Sequence, residues 1–333
     1  MHQSLPHQYV ERESGRVRTE QLIGDRMVRL LYTGVRENAP LFFRLLTSPR
    51  ASSLLGFVNF DLPLRSARNF ISQCGINREE CLDDPDGFDT PRKVFERKIR
   101  YWECRPLPAG ADTVVCPADS RVLLGSFAET SQLFLKEKFF SFEELLAGRR
   151  EWLRAFAGGD FAVFRLTPDK YHYNHLPVSG RVVACYEIDG DCHSCNPAAV
   201  VTVATPYSKN RRVVTVINTD VPRGSCVGLV AMVEVVALMI GEIVQCYSAR
   251  RYEAPQPIEP GLFVERGQPK SLFRPGSSTD VLIFEAGRVR FAADLLGNMA
   301  HPTAASRFSR GFAQPLVETD VRVRSLLAHA VAG

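Results

Sequence analysis

From about Asp112 onward the chain is written in short β-branched runs: RVVACYEI, AVVTVAT, RRVVTVINT and VLIFEAGRVRF. They lie between turns rich in Gly, Pro and Asp. Runs of that length and composition suit a pleated, half-buried or buried surface and predict strands. A chain carrying so many of them must be organised around a sheet. The first hundred residues have a different texture. Leu22, Ile23, Met27, Leu30 and Leu31 recur at helical spacing and predict a helix over Thr19–Tyr32. Further helices are expected over Leu64–Cys74 and over Phe142–Phe156, the latter with Ser141 as its N-cap. No internal repeat or low-complexity linker divides the chain. The expectation is an α+β protein, with a helical N-terminal region (1–105) packed on a β-rich domain (106–333).

Bulk properties narrow the function classes. The net charge is only +4 over 333 residues, with no long Lys/Arg run, which argues against a nucleic-acid partner. Nine cysteines, an odd number scattered over a long chain, do not form the disulfide framework of a small secreted domain. The opening MHQSLPHQYVERESGR has no apolar signal core. The longest apolar run, Val227–Ile240, is interrupted by Glu234 and is too short to span a bilayer. These features set the expectation of a protein on the cytoplasmic side, peripheral to any membrane. The stretch APLFFRLLTSPRASSLLGFVNFDLPL (39–64) is apolar and flanked by arginines. It either packs on the protein's own core or lies in a membrane interface.

Reactive groups concentrate in four places. CPADS (116–120) puts Asp119 in a tight turn after a short strand. YHYNHLP (171–177) carries His172 and His175, which point to opposite faces if the segment is extended and can converge if it turns. DCHSC (191–195) is a C-x-x-C with a histidine inside, but no second pair completes four ligands, so no metal is expected. PGSST (275–279) drops two hydroxyls against the apolar strand VLIF. Asp119, His175 and a serine near 278 follow one another as acid, base and nucleophile. There is no G-x-G-x-x-G, Walker loop or G-x-S-x-G elbow.

Taken with their surroundings, these segments resemble the phosphatidylserine decarboxylase family. The resemblance is carried by CPADS, FLKEKFFSFEELLAG (134–148), FRLTPDKYHYNHLPVSGRV (164–182), NPAAVVTV (196–203), the run from Arg211 to Ile243, and GSSTDVLIFE (276–285). Each is modest alone, whereas their joint order is specific. The resemblance implies a proenzyme. Asp119 and His175 would activate a loop serine to attack the carbonyl before it, and the resulting ester would eliminate. The dehydroalanine left behind would hydrolyse to a pyruvoyl group. That group is the implied cofactor, an electron sink for decarboxylation, and His172 is the implied proton carrier of turnover. A phospholipid substrate at a membrane surface, separate β and α chains after cleavage, and a homodimer are implied in the same way. Relatives that act on free, including aromatic, amino acids and an uncleaved membrane-peripheral binding protein are the alternatives.

The loop departs from the family's pattern in offering two serines. Counting back from Phe284 through the strand places the nucleophile at Ser278. Counting from the Gly–Ser bond places it at Ser277. The strand register is the firmer ruler, so Ser278 is the expected pyruvoyl precursor, with Ser277 as the alternative. Ser120 also stands where the family has glycine, which requires an ordinary negative φ there.

Overall fold

The computed structural model describes residues 6–22, 24–61, 67–128, 139–203, 205–238, 242–276 and 278–331. Among the described residues, three sheets carry sixteen strands. The largest has ten, in the order β11-β7-β8-β9-β13-β5-β4-β15-β1-β2. Reading across it, these are Phe263–Val264, Gly180–Ile188, Arg212–Asn218, Leu229–Val236, Ser278–Phe284, Asp160–Leu166, Ser120–Ser126, Glu318–Val321, Gln8–Glu11 and Val17–Thr19. A second sheet joins β10 (Ile243–Gln245), β12 (Pro269–Phe273) and β6 (Tyr173–His175). A third joins β14 (Val289–Phe291), β16 (Leu326–Ala330) and β3 (Thr113–Val115). The architecture is α+β, as expected.

The centre of the large sheet is β13, paired antiparallel to β9 on one side and β5 on the other. Val281, Leu282, Ile283 and Phe284 are all buried. Leu282 and Phe284 face one core with Ala162, Phe164, Val230 and Met232. Val281 and Ile283 face a second core with Val163, Ala231 and Val233. A strand covered on both faces can be apolar without alternation, which is why VLIF reads as an unbroken run.

Several sequence expectations shift. Helix begins at Asp25, not Thr19, because Val17–Thr19 forms a strand and Gly24 turns the chain at φ 70°. It continues through a π-type turn, Leu31–Val35. The helix near Leu64 is seen as Ala67–Cys74; Ile23 and residues 62–66 lie outside the described residues. Phe142–Phe156 is two helices, Phe142–Leu145 and Arg150–Ala155, since Ala147 and Gly148 adopt left-handed φ values of 57° and 65°. Ser141 does cap the first, accepting from the Glu144 N–H at 3.3 Å. AVVT within AVVTVAT is not strand: Pro197–Thr202 is helical, because the Asn196 side chain accepts from the Ala198 N–H at 2.8 Å and Pro197 presets the first turn; Ala204 lies outside the described residues.

The N-terminus is not purely helical either. β1 runs parallel to β15 and antiparallel to β2, so residues 8–19 belong to the sheet. A buried ion network holds them there. Arg165 on β5 donates to Glu20 at 2.7 and 3.0 Å and to Glu318 on β15 at 2.5 and 2.9 Å. His7 meets Glu318 at 2.7 Å, and Arg121 meets Glu20 at 2.6 Å. His7, Glu20 and Glu318 are grouped closely enough to hold a cation, and the Arg165 guanidinium fills that role. Replacing Arg165 by Met leaves buried carboxylates short of their partner. The expected loss is about 3–5 kcal/mol, measured by urea unfolding; a loss under about 1 kcal/mol would contradict this account of the network.

Candidate active site

The CPADS turn and the histidine segment meet at the backbone. The His175 N–H donates to the Pro117 carbonyl at 2.7 Å, and the Val115 N–H to Pro177 at 3.0 Å. Asp119 sits in the turn between β3 and β4, and Ser120 opens β4 with its hydroxyl on the Ala118 carbonyl at 3.1 Å. Ser120 keeps negative φ, as its side chain requires. Asp119 does not hydrogen-bond His175. Its carboxylate takes a forked pair from Arg105 at 2.9 and 3.2 Å and the Val323 N–H at 2.7 Å. Burial opposes its charge, but Arg105 and the Val323 amide outweigh burial and hold the carboxyl below its usual range. Arg105 carries no signal in the sequence.

The two histidines face different neighbours. Asn174, between them on the strand, reaches Glu234 and Ser271, so by alternation His175 turns the other way. The His175 Nδ1–H donates to the Gly267 carbonyl at 2.8 Å, which leaves Nε2 to accept from the Tyr171 hydroxyl at 3.0 Å. His172 repeats the device: Nδ1–H donates to the Lys170 carbonyl at 2.8 Å. Its ring stacks on Phe95 with centroids 3.6 Å apart, and its buried Nε2 has no partner. In both rings a backbone carbonyl does the orienting expected of an aspartate, fixing a neutral tautomer whose lone pair is on Nε2. Burial pushes His175 down to about 3. Burial, then the nearby Arg97 guanidinium, pushes His172 well below the ordinary imidazole value. Asp119 acts on both rings only through its charge.

Ser278 is the first residue of β13, fully buried, in register with Leu166 on one side and Val236 on the other. Those two residues pack with Ala118, Cys192 and Phe273. The Ser278 Oγ has no hydrogen-bond partner. The preceding Gly276 is at φ 144°, a backbone conformation that side chains disfavour. Ser277, the alternative nucleophile, lies outside the described residues. The histidine segment is tied to the loop's approach, because the Phe273 N–H donates to the His172 carbonyl at 3.1 Å.

A cavity of about 200 Å³ opens on this loop. Gly276, Leu166 and Leu238 form its inner wall, and Met27, Phe60 and Phe70 from the helical region form the outer one. The DCHSC segment has a structural task here. The Cys192 N–H donates to Thr47, the Ser194 N–H to the Tyr32 hydroxyl, and His193 packs against Tyr32 and Phe43. It is the ledge on which the N-terminal helices sit.

The comparisons with known proteins decide what this arrangement belongs to. A family profile described as phosphatidylserine decarboxylase matches residues 92–307. The chain belongs to the phosphatidylserine decarboxylase family. It is 31% identical to the phosphatidylserine decarboxylase proenzyme of Chlamydia trachomatis serovar D, over 88% of this chain and 91% of that protein. It is 27% identical to the Ruminiclostridium cellulolyticum proenzyme, over 87% and 91% respectively. The proenzyme 2 of Oryza sativa subsp. japonica is 34% identical over 68% of this chain and 34% of its own length. The matched region of this family member contains Asp119, both histidines, Ser277 and Ser278.

Because His175 is neutral in the fold and titrates near 6.5 when unfolded, it favours the native state above that value. The contribution is lost as pH falls from about 6.5 toward 3. Unfolding midpoints of the wild type should therefore drop over that range relative to His175→Gln, whose side chain does not titrate. Parallel pH profiles would show that the ring is not held neutral.

Proposed function

We propose that this family member is a pyruvoyl-dependent decarboxylase that converts phosphatidylserine to phosphatidylethanolamine after cutting itself before Ser278. The observation that carries the reading is the cavity. One set of helices lines it beside the cleavage loop and, on its outer side, exposes apolar side chains. Met27, Leu30, Leu41, Phe42, Leu54 and Phe57 are each more than half exposed, the highest being Leu41 at 80%. Arg26, Arg36, Arg44 and Arg50 are exposed among them. Apolar side chains interspersed with arginines suit the interface of an anionic bilayer. No described helix is long and apolar enough to cross one. The protein is thus read as peripheral, taking its lipid from the membrane surface.

The residues around Ser278 fit a pyruvoyl group. The hydroxyl is buried and unpartnered, the flanking Leu166, Val236 and Phe273 are apolar and uncharged, and Gly276 allows a bent backbone before the bond. Locked between β5 and β9, the new terminus keeps its place after cleavage. When present, the group supplies an electrophilic carbonyl that condenses with the substrate amine and takes up the electrons left by carbon dioxide. The protein's own contribution is to hold that terminus, exclude water and manage protons. His175, its Nε2 unprotonated and its ring fixed by Gly267, is assigned to maturation. His172, its Nε2 unpartnered beside Phe95, is assigned to turnover. Asp119 supports both electrostatically.

Denaturing electrophoresis with intact mass is expected to show residues 1–277 and a fragment 278–333 that lacks a free N-terminal amine. A fragment starting at 277 would move the nucleophile to Ser277. A chain that stays whole would remove the enzyme reading. The cleaved protein is expected to release carbon dioxide from phosphatidylserine vesicles and not from tryptophan; the reverse would assign it to free amino acids. His175→Ala should remain uncut, whereas His172→Ala should be cut yet lose about 10²–10⁴ in turnover. Identical behaviour of the two variants would refute this division of labour.

A further inference from the structure

Two cavities adjoin beside the cleavage loop. The first, of about 200 Å³, is walled by Gly276 and by Leu166, the β5 residue in register with Ser278. The second, of about 580 Å³, shares Glu20, Leu22, Gly24 and Met27 with the first. Beyond that common wall it is lined by Arg26 and Arg29 of the helix Asp25–Leu30 and by Arg307. Apolar surface begins at the same rim. Met27 belongs to both cavities and is 59% exposed, and Leu30 on the same helix is 63% exposed.

The charges of the second cavity do not balance, because both its carboxylates are already engaged. Glu20 accepts from Arg165 at 2.7 and 3.0 Å and meets Arg121 at 2.6 Å. Asp25 gives one oxygen to each arm of the Arg307 guanidinium, at 2.6 and 3.0 Å. Arg29 lies 3.3 Å from the same carboxylate, but its buried Nε finds no hydrogen-bond acceptor. Arg26 is exposed and, among the described residues, pairs with no carboxylate. Two guanidiniums therefore stand in excess in one cleft, where charge of a single sign draws in an anion. A further arginine-lined cavity, beside Phe57 and Pro275, lacks this imbalance. Arg92 there has Asp61, Arg274 has Glu242 and Arg211 has Glu187.

We propose that Arg26 and Arg29, with Arg307 beside them, bind the phosphodiester of the lipid whose headgroup enters the first cavity. This rests on the decarboxylase reading above and names the group by which the site selects a phospholipid. In phosphatidylserine the amine-bearing carbon is joined to phosphorus through a methylene and an ester oxygen. A headgroup in the first cavity therefore leaves its phosphate at the adjoining one. The phosphodiester spreads its charge over two equivalent oxygens, which the fork of a guanidinium matches. The acyl chains then leave past Met27 and Leu30 toward the bilayer. A free amino acid offers these arginines nothing, so the subsite discriminates against it.

The test uses dihexanoyl phosphatidylserine below its micelle concentration, so that no bilayer contributes. The double variant Arg26→Gln, Arg29→Gln should fold and be cut into its two chains. With the monomeric lipid its KM should rise about 10–100-fold, the loss expected for hydrogen bonds to a charged group, while kcat is unchanged. Arg154→Gln removes an exposed charge from a helix that lines neither cavity and should leave both constants as they are. Dihexanoyl phosphatidylglycerol, a phosphodiester without an amine, should bind the wild type in calorimetry and the double variant as many fold more weakly. An unchanged KM for the monomeric lipid would overturn the assignment even if vesicle binding fell, since the arginines would then serve only the bilayer's charge. A lower kcat at unchanged KM would also overturn it, as would phosphatidylglycerol that binds both proteins alike or neither. If the wild type releases no carbon dioxide from phosphatidylserine in any form, the decarboxylase reading fails, while phosphatidylglycerol binding still tests the phosphodiester subsite.

Discussion

The register of β13 is the constraint on which the site depends. Seven residues, Ser278 to Phe284, are paired without a break to β9 and β5. Both faces of Val281–Phe284 are buried, so a slip by one residue would exchange the contents of the two cores. That penalty pins Ser278 at the strand's mouth and Asp280 opposite Glu234 on β9. It also separates the roles of loop and strand. The loop leads in through Gly276 at φ 144°, a conformation open to glycine, and the strand supplies a fixed terminus.

Around that strand the protein keeps its ionisable groups in deliberately different states. Asp119 is charged because Arg105 grips it, and Glu234 because Lys270 does. His172, His175 and Asp280 are neutral because burial outweighs any partner. The helical region adds the apolar side of the design. It lines the cavity beside Gly276 while presenting Leu41, Phe42 and Phe57 outward, and the DCHSC ledge holds it in place through Tyr32 and Thr47.

Much of this was legible in the residues. Strands 180–188, 212–218 and 278–284 follow from β-branched runs too short for helices, and Ser141 was a readable cap. The failures have local causes. AVVTVAT has strand composition, but Asn196-Pro197 in front of it starts a helix, and capping overrides propensity. The N-terminal strands were hidden because QYVE acquires its partner from Glu318–Val321, some three hundred residues later, and VRT pairs in turn on QYVE. Asp280 and Glu234 left a visible mark as acids in apolar runs, but one sequence does not say that the two marks face each other.

What the sequence determined by itself is the chemical vocabulary and its order: an aspartate in a turn, two histidines three apart, and a serine before a strand buried on both faces. Local chemistry and strand period suffice for that. What only the tertiary structure decided is which groups touch. Asp119 is spoken for by Arg105 and not by His175, backbone carbonyls orient both histidines, and Asp280 meets Glu234 across β13 and β9. Those pairings depend on strand order and register between segments far apart in the chain. Burial, which sets each group's charge, exists only once the segments have packed.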